Sequence, residues 1–368
     1  MEFKYKQVLV LLSIANQIKL AMTHPNTNHE SLLLYCGGEG GTGQSRVISA
    51  IRDFFITIMQ ENEIVVSATI GVAADNIEGS TIHSLLALRS SRTRISTTER
   101  ENFWLQKSCL IINEISMLRL RDLERINQHL KILRKEDNIP FGGINIVILW
   151  GDLFQFGHIQ GYPLYQTEIS SEDVENAAGR YPWTLFLTVF ILDQQMRQSG
   201  DLEYYQLVQR ARKGQLSHAD HIQLLLHMIY NENSIPLSTT IIVRRNHDRY
   251  RLNKIQFDRI LQHTQYSNSS SHSIPAPIAG HIFIGTSRTS LSDQKSVSNF
   301  FQANDKNQTK GPAFLPFIPQ MPVIINENLF THLGVVNGKQ CLALGFLPNP
   351  EGMNLIFISL SINFLFAN

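Results

Sequence analysis

The chain has 368 residues, 43% of them hydrophobic and 17% charged, which is enough apolar content for more than one core. With 32 Lys and Arg against 31 Asp and Glu it is neither a strongly basic nor a strongly acidic protein, so any nucleic-acid surface must be local. Three cysteines, Cys36, Cys109 and Cys341, lie far apart without metal-ligand spacing; this argues against a disulfide framework and for small buried residues of a reducing compartment.

The first apolar run, Val8–Ala15, follows Lys4 and Lys6 and reads either as a short signal peptide or as a buried helix; the phosphate loop that comes next favours the helix. Ser31–Cys36 predicts a buried strand. It leads into Gly38-Glu39-Gly40-Gly41-Thr42-Gly43-Gln44-Ser45. This is the pattern G-x-x-x-x-G-K-[ST], whose backbone N–H groups and helix N-terminus cradle phosphates, with Gln44 in the place of the lysine. Ser45–Met59 predicts a helix with Val47, Ile48, Ile51, Phe54, Phe55 and Ile58 on one face, and Ile64–Ala68 the next strand. Small residues in Ser67–Ala74 and the donors of Ile77–Ser84 suit close approach to phosphates or bases, or else an ordinary strand, loop and helix. A short helix is expected over Thr81–Leu88 and a polar connection over Arg89–Arg100.

Cys109–Ile112 predicts a buried strand that ends in Asn113-Glu114. Two carboxylates at such a strand end bind Mg²⁺ and polarise the attacking water; here the first of them is neutral. Leu120–Leu133 reads as helix and Asn145–Trp150 as strand, followed by Gly151-Asp152-Leu153-Phe154-Gln155. Gln155 sits where an amide senses a γ-phosphate, or Asp152 and Gln155 simply cap a turn. Val189–Leu192 adds a fourth strand, and Arg197 behind it is a candidate triphosphate clamp or a solvated surface group. Leu202–Gly214 reads as helical. Beyond it, Thr240–Val243 predicts a strand, a helix is expected around Arg249–Leu261, and Val323–Asn326 and Gln340–Phe346 are further strands. Gln265–Pro277 and Ser287–Gly311 read as polar loops or insertions. Leu355–Phe366 is apolar but shorter than the roughly 20 residues of a membrane span, and reads as a buried strand or an aberrant tail. The alternation describes an α/β protein, expected to be soluble and intracellular, without a membrane partner.

The series GGEGGTGQS, TIGVAADNIEGSTIHS, LIINEISM, PFGGINIVILWGDLFQ, MRQSGD and PVIIN…LGVVNG resembles the Pif-type (petite integration frequency) DNA helicases of superfamily one, and most of all the helicase part of fungal Helitron transposon proteins. The resemblance runs from about residue 15 to about residue 345. It implies a P-loop NTPase of two RecA-like α/β domains with parallel sheets, the second incomplete, moving 5′ to 3′ along single-stranded DNA at the cost of ATP with Mg²⁺. It implies an amino-terminal helical segment over 1–30, a first RecA-like domain over 31–200, a helical linker over 201–235, and a partial second domain over 236–368 with a polar insertion at 264–311. By position, Gly38, Gly40, Gly41, Thr42, Gly43, Gln44 and Ser45 would hold phosphates, and Ser45 with Asn113 would hold Mg²⁺. Glu114 would activate water, Gln155 would couple nucleotide to DNA, and Arg197 would contact the nucleotide. Thr69, Thr81 and His83 would lie on the DNA path, with Asn337 and Gly338 in the second domain's matching motif, and Gln17 is the nearest match to an adenine-reading glutamine. Family roles in DNA repair, recombination and telomere maintenance would put the protein in the nucleus.

The sequence also departs from the family pattern. Gln44 replaces lysine, Asn113 replaces aspartate, and Phe156-Gly157-His158 stands where Leu-Pro-Pro is usual. The final motif, which brings an arginine to the γ-phosphate, is not visible before Ser359–Asn368. Arg46 lies two residues along the helix from Gln44, on another face, and is a poor substitute for the lysine. Three readings follow: an impaired helicase, a working helicase with altered ligands, and a DNA-binding or scaffold protein that reuses the fold.

Overall fold

The computed structural model describes residues 3–24, 29–58, 60–88, 97–157, 161–170, 173–198, 200–236, 239–268, 280–283, 314–317, 322–325, 335–336, 338–348 and 355–361. The chain divides into two units, Met1–Ser217 and His218–Asn368.

In the first unit the elements run α1 (Tyr5–Thr23), β1 (Leu32–Gly38), α2 (Gln44–Thr57), β2 (Ile64–Ala68), α3 (Gly71–Asn76), β3 (Ser80–Thr81), α4 (Ile82–Leu85), α5 (Thr97–Leu105), β4 (Cys109–Asn113), α6 (Leu120–Arg134), β5 (Ile146–Gly151), α7 (Val174–Thr184), β6 (Thr188–Leu192) and α8 (Leu202–Arg212). The six strands form one sheet in the order β3-β2-β4-β5-β1-β6, and each pairing is parallel. All five residues of β4 and all six of β5 are buried, so their apolar runs show no polar alternation.

Successive residues of these strands feed two cores. Cys109, Ile111, Ile146, Ile148 and Trp150 pack with Val10, Ile14 and Ile18 of α1 and Val47, Ile48, Ile51 and Phe55 of α2. Leu110, Ile112, Val147 and Leu149 face Leu120, Leu123, Ile126 and Leu130 of α6. Helices therefore cover both faces, and the odd-numbered position of Asn113 puts it on the α1–α2 side. The helix over 8–15 is thus present as part of α1.

Helix α6 carries Asp122 in its first turn and Lys131 and Arg134 in its last, charges that suit the two ends of the helix dipole. Arg134 then bonds the carbonyl of Gly142 at 2.6 Å, and Asn127 Oδ1 accepts from the N–H of Phe141 at 2.8 Å. The Pro140–Gly143 turn is thereby held with Phe141 at φ 53°, its ring fully buried and 5.6 Å from Phe186. The polar connection expected over Arg89–Arg100 ends early, because α5 already begins at Thr97; residues 89–96 lie outside the described residues.

The second unit contains α9 (His218–Leu226), α10 (Asn246–Asn268), β7 (Gly280–Phe283), β8 (Phe314–Phe317), β9 (Pro322–Ile324), β10 (Gln340–Pro348) and β11 (Leu355–Ser361). Its described strands pair antiparallel, β11-β10-β9 in one sheet and β7-β8 in another, so the parallel sheet belongs to the first unit. The apolar run expected from Leu355 is strand β11, paired with β10. Thr240–Val243, expected as a strand, has no ladder partner among the described residues and leaves Ile242 95% exposed. The helix expected around Arg249–Leu261 runs longer, taking in Gln265–Asn268 from what reads as loop. Most of the insertion at 264–311 lies outside the described residues. No helix among the described residues is long and apolar enough to cross a membrane.

Candidate nucleotide site

The carboxyl ends of β1, β4 and β5 bring the candidate residues together, since Gly37 is in register with Gly151, and Asn113 with Trp150 and Ala68. The loop after β1 needs left-handed backbone at Gly41 (φ 95°) and Gly43 (φ 85°), and Gly43 caps the 14-residue α2. Gly38, Gly40, Gly41, Thr42, Gly43, Gln44 and Ser45 thus wrap a helix N-terminus, whose first N–H groups suit an anion. Thr42 closes the loop by donating its hydroxyl to the Glu39 carbonyl at 2.8 Å. Gln44 folds back and donates Nε2 to the Gly38 carbonyl at 2.7 Å, so its amide is held by the loop itself.

Two further segments grip this loop. Behind β6, Gln195 Nε2 donates to the Gly40 carbonyl at 2.9 Å, and the N–H groups of Met196 and Arg197 reach the Gly41 carbonyl at 2.8 and 3.3 Å. A Cβ on Gly41 would lie 2.1 Å from Gln195 Oε1 and 2.8 Å from the Arg197 Cβ, which leaves room only for glycine. From the other side, the buried Gln7 of α1 donates to the Thr42 carbonyl at 2.9 Å and borders a cavity of about 160 Å³ with Tyr5, Thr42 and Gln194.

Gln17, the expected adenine reader, lies elsewhere. Its amide bonds the Glu30 carbonyl and Asn145 Oδ1, each at 2.8 Å, beside the starts of β1 and β5 and so at the sheet end opposite the loop. Gln7 heads the buried stripe Val10, Ile14, Ile18 of α1, whereas Gln17 is off it.

At the end of β4, Asn113 is 6% exposed and its Oδ1 has no hydrogen-bond partner among the described residues. A buried, unpaired oxygen fits a site for a hydrated cation, although Asn113 and the Ser45 hydroxyl are neutral where magnesium prefers charged oxygens. Glu114 takes a left-handed backbone (φ 58°, ψ 49°). Burial, with the Asp152 carboxylate second, holds its carboxyl above the usual range. Thr69 fixes this turn, donating its hydroxyl to the Glu114 carbonyl at 2.6 Å and its N–H to that of Asn113 at 3.1 Å. Gly151 completes it, because a Cβ there would meet the Ile115 nitrogen at 2.8 Å.

Gln155 is exposed in the turn after β5, its Nε2 3.9 Å from where a Cβ on Gly40 would stand. Thr81 is buried in β3 next to Ala68, and His83 in α4 acts electrostatically on Asp122 of α6. The first unit thus brings Glu114, Gln155, Arg197, Asn113 and the loop to one edge. Gly338, in the second unit, turns at φ 92° and donates its N–H to the Ile325 carbonyl at 2.7 Å. Asn337 and His158 lie outside the described residues.

Gln7, Gln195, Glu39 and Arg212 touch the site without having been singled out for it. Arg212, at the end of α8, makes two hydrogen bonds to the buried Asp152, at 2.6 and 2.5 Å. Cys36 and Cys109 are buried behind the site with thiols pushed up by burial.

The family model for PIF1-like helicases matches residues 14–221, more than half of the chain. The ATP-dependent DNA helicase PIF5 of Trypanosoma brucei brucei is 30% identical over 233 residues, covering 55% of this chain and 24% of the relative. The Pif1 helicase of Candida albicans, as a crystal structure, superposes with a TM-score of 0.57 at 19% identity, covering 95% of this chain and 70% of that one. Bacteroides Pif1 bound to single-stranded DNA gives 0.55 at 16% identity, covering 93% and 73%. At those identities the two structures show a shared fold. The chain spans about a quarter of the length of the first curated relative it matches.

Proposed function

The chain belongs to the PIF1-like helicase family, and on that premise we propose that it is an ATP-dependent DNA helicase by descent, acting on single-stranded DNA in the 5′ to 3′ direction, with hydrolysis impaired by Gln44 and Asn113. The observation that carries this reading is the meeting of the phosphate loop, Asn113-Glu114, Gln155 and Arg197 at one sheet edge. The loop's backbone N–H groups hold the phosphates. Glu114, its carboxyl raised by burial first and Asp152 second, takes the proton of the attacking water. Arg197 reaches the triphosphate from beside Gly41, and Gln155 senses its outer end. Mg²⁺ held at Ser45 and Asn113 would supply charge neutralisation between the outer phosphates. Thr69, Thr81 and His83 belong to the DNA path, with Asn337 and Gly338 in the second unit. Both substrates put the work inside the cell, at nuclear DNA, and the motif series supports Helitron-type ancestry.

The impairment follows from charge. A preorganised cation on a transferring phosphoryl group contributes about two to three orders of magnitude in rate, and Gln44 is instead bonded to Gly38. The same bond favours a second reading, a DNA-binding remnant without turnover. ATPase assays of the unmodified chain and of Gln44→Lys/Asn113→Asp, with and without single-stranded DNA, test both. A DNA-stimulated gain of about 100-fold or more in the revertant is expected. An unmodified chain already as fast as the revertant overturns the impairment. DNA retention that falls steeply with salt, with neither chain hydrolysing ATP, establishes the remnant.

A further inference from the structure

Arg212 lies outside the phosphate loop yet pairs with two segments of the site. It is the last residue of α8, a helix that starts four residues after Gln198 with Asp201 capping the Tyr204 N–H at 2.9 Å. Its two N–H groups fork onto both oxygens of Asp152, which is 4% exposed, while its Nε lies 3.4 Å from Glu39 of the phosphate loop. The guanidinium also stacks over Phe154, 4.9 Å from the ring centre. One turn back on the same helix face, Gln209 donates to the other oxygen of Glu39.

Asp152 in turn organises the segment that carries Gln155. Its Oδ1 accepts from the Phe154 N–H at 3.0 Å, and its carbonyl accepts from the Gln155 N–H at 3.0 Å. One guanidinium therefore joins the turn that presents Gln155 to the loop strand Gly38–Gly41 that Gln155 overlooks. A planar fork can satisfy a carboxylate bidentately and still turn its Nε to a second acid, which an ammonium cannot do.

We propose that Arg212 is a positioning residue of the nucleotide site: through Asp152 and Glu39 it fixes Gln155 against the phosphate loop, so that a shift of either segment is felt by the other. This rests on the helicase reading for its consequence in turnover, but not for the geometry it asserts.

The test begins without nucleotide, by hydrogen exchange on the unmodified full chain. Arg212→Lys is expected to speed exchange about tenfold in both 38–42 and 153–155, leaving β4 and α6 unchanged. Gln209→Ala, which removes only a Glu39 contact, is expected to loosen 38–42 alone. Exchange unchanged in both segments, or rising equally in β4 and α6, overturns the proposal. In the Gln44→Lys/Asn113→Asp chain, Arg212→Lys should lower kcat about tenfold, yet add less than about twofold when Gln155→Ala is also present. Equal losses with and without Gln155 would mean that Arg212 acts on stability alone. A revertant that does not turn over ATP contradicts the helicase reading and leaves the exchange result to decide this one.

Discussion

Gln7 and Gln44 brace the phosphate loop from its two sides, one through the Thr42 carbonyl and the other through the Gly38 carbonyl. The Gln7 bond is buried, so cutting it leaves an unsatisfied carbonyl inside the loop, and such bonds contribute about 1–1.5 kcal/mol. Gln7→Ala should therefore weaken binding of a fluorescent ATP analogue about tenfold while α1 stays folded, as circular dichroism would report. An unchanged affinity would show that the loop keeps its shape without Gln7. A second residue-scale prediction concerns Asp122, paired with Arg119 at 2.6 and 2.8 Å and almost fully buried. Burial opposes its charge, but the hydrogen bonds and charge of Arg119, helped by His83, outweigh that and hold the carboxyl below the usual range. A carboxyl lowered on folding stabilises the protein above its unfolded value, about 3.9, and loses that contribution as pH falls through the folded one. Chemical denaturation should find Asp122→Asn about 2 kcal/mol less stable at pH 7, with the gap closing as pH drops below about 4. A gap independent of pH would remove the ion pair from the account.

Among the elements, the crossing of α6 and α7 is the least forgiving, because a Cβ on Gly179 would lie 2.0 Å from the Leu120 carbonyl oxygen. Backbone cannot yield there as a flexible side chain can, so Gly179→Ala should lower stability by about 3 kcal/mol, read as a Tm shift of several degrees. Phe141→Ala in the neighbouring turn should cost about as much by opening a cavity. A Tm within a degree of the parent for Gly179→Ala would show that the two helices can slide apart. This crossing was not legible in the sequence, and the reasons are local. Pro182 inside α7 reads as a breaker, although the helix already has its cap in Asp173, which accepts from the Asn176 N–H at 3.2 Å. Helix α5 buries Trp104 fully but leaves Phe103 and Leu105 partly exposed, so no apolar stripe announces it. Strands β1, β2, β4 and β5, inside the sheet, were legible because a strand covered on both faces reads as an unbroken apolar run, and the edge strand β6 carries an apolar run too although Val189 and Ile191 are each 48% exposed. Thr240–Val243 shows the converse: its β-branched composition meets no partner strand among the described residues and forms no ladder there.

At the scale of the molecule, the loop, Asn113, Glu114 and Gln155 could be read from motif order, whereas Gln7 and Arg212 could not. Each of those two acts across a long separation, 35 residues from Gln7 to Thr42 and 60 from Arg212 to Asp152, so only the folded sheet shows whom they serve. All of these partners fall within Met1–Ser217, the first of the two units. That unit has a complete six-stranded sheet with helices on both faces, the ingredients of a domain that folds by itself. A fragment ending at Ser217 should accordingly unfold in one cooperative transition, with calorimetric and van't Hoff enthalpies in agreement. Because the loop's grips from Gln7, Gln44 and Gln195 all remain in that fragment, its affinity for a fluorescent ATP analogue should stay within about threefold of the full chain's. Binding that survives only in the full chain would mean that His218–Asn368 is needed for nucleotide binding, and would overturn the prediction.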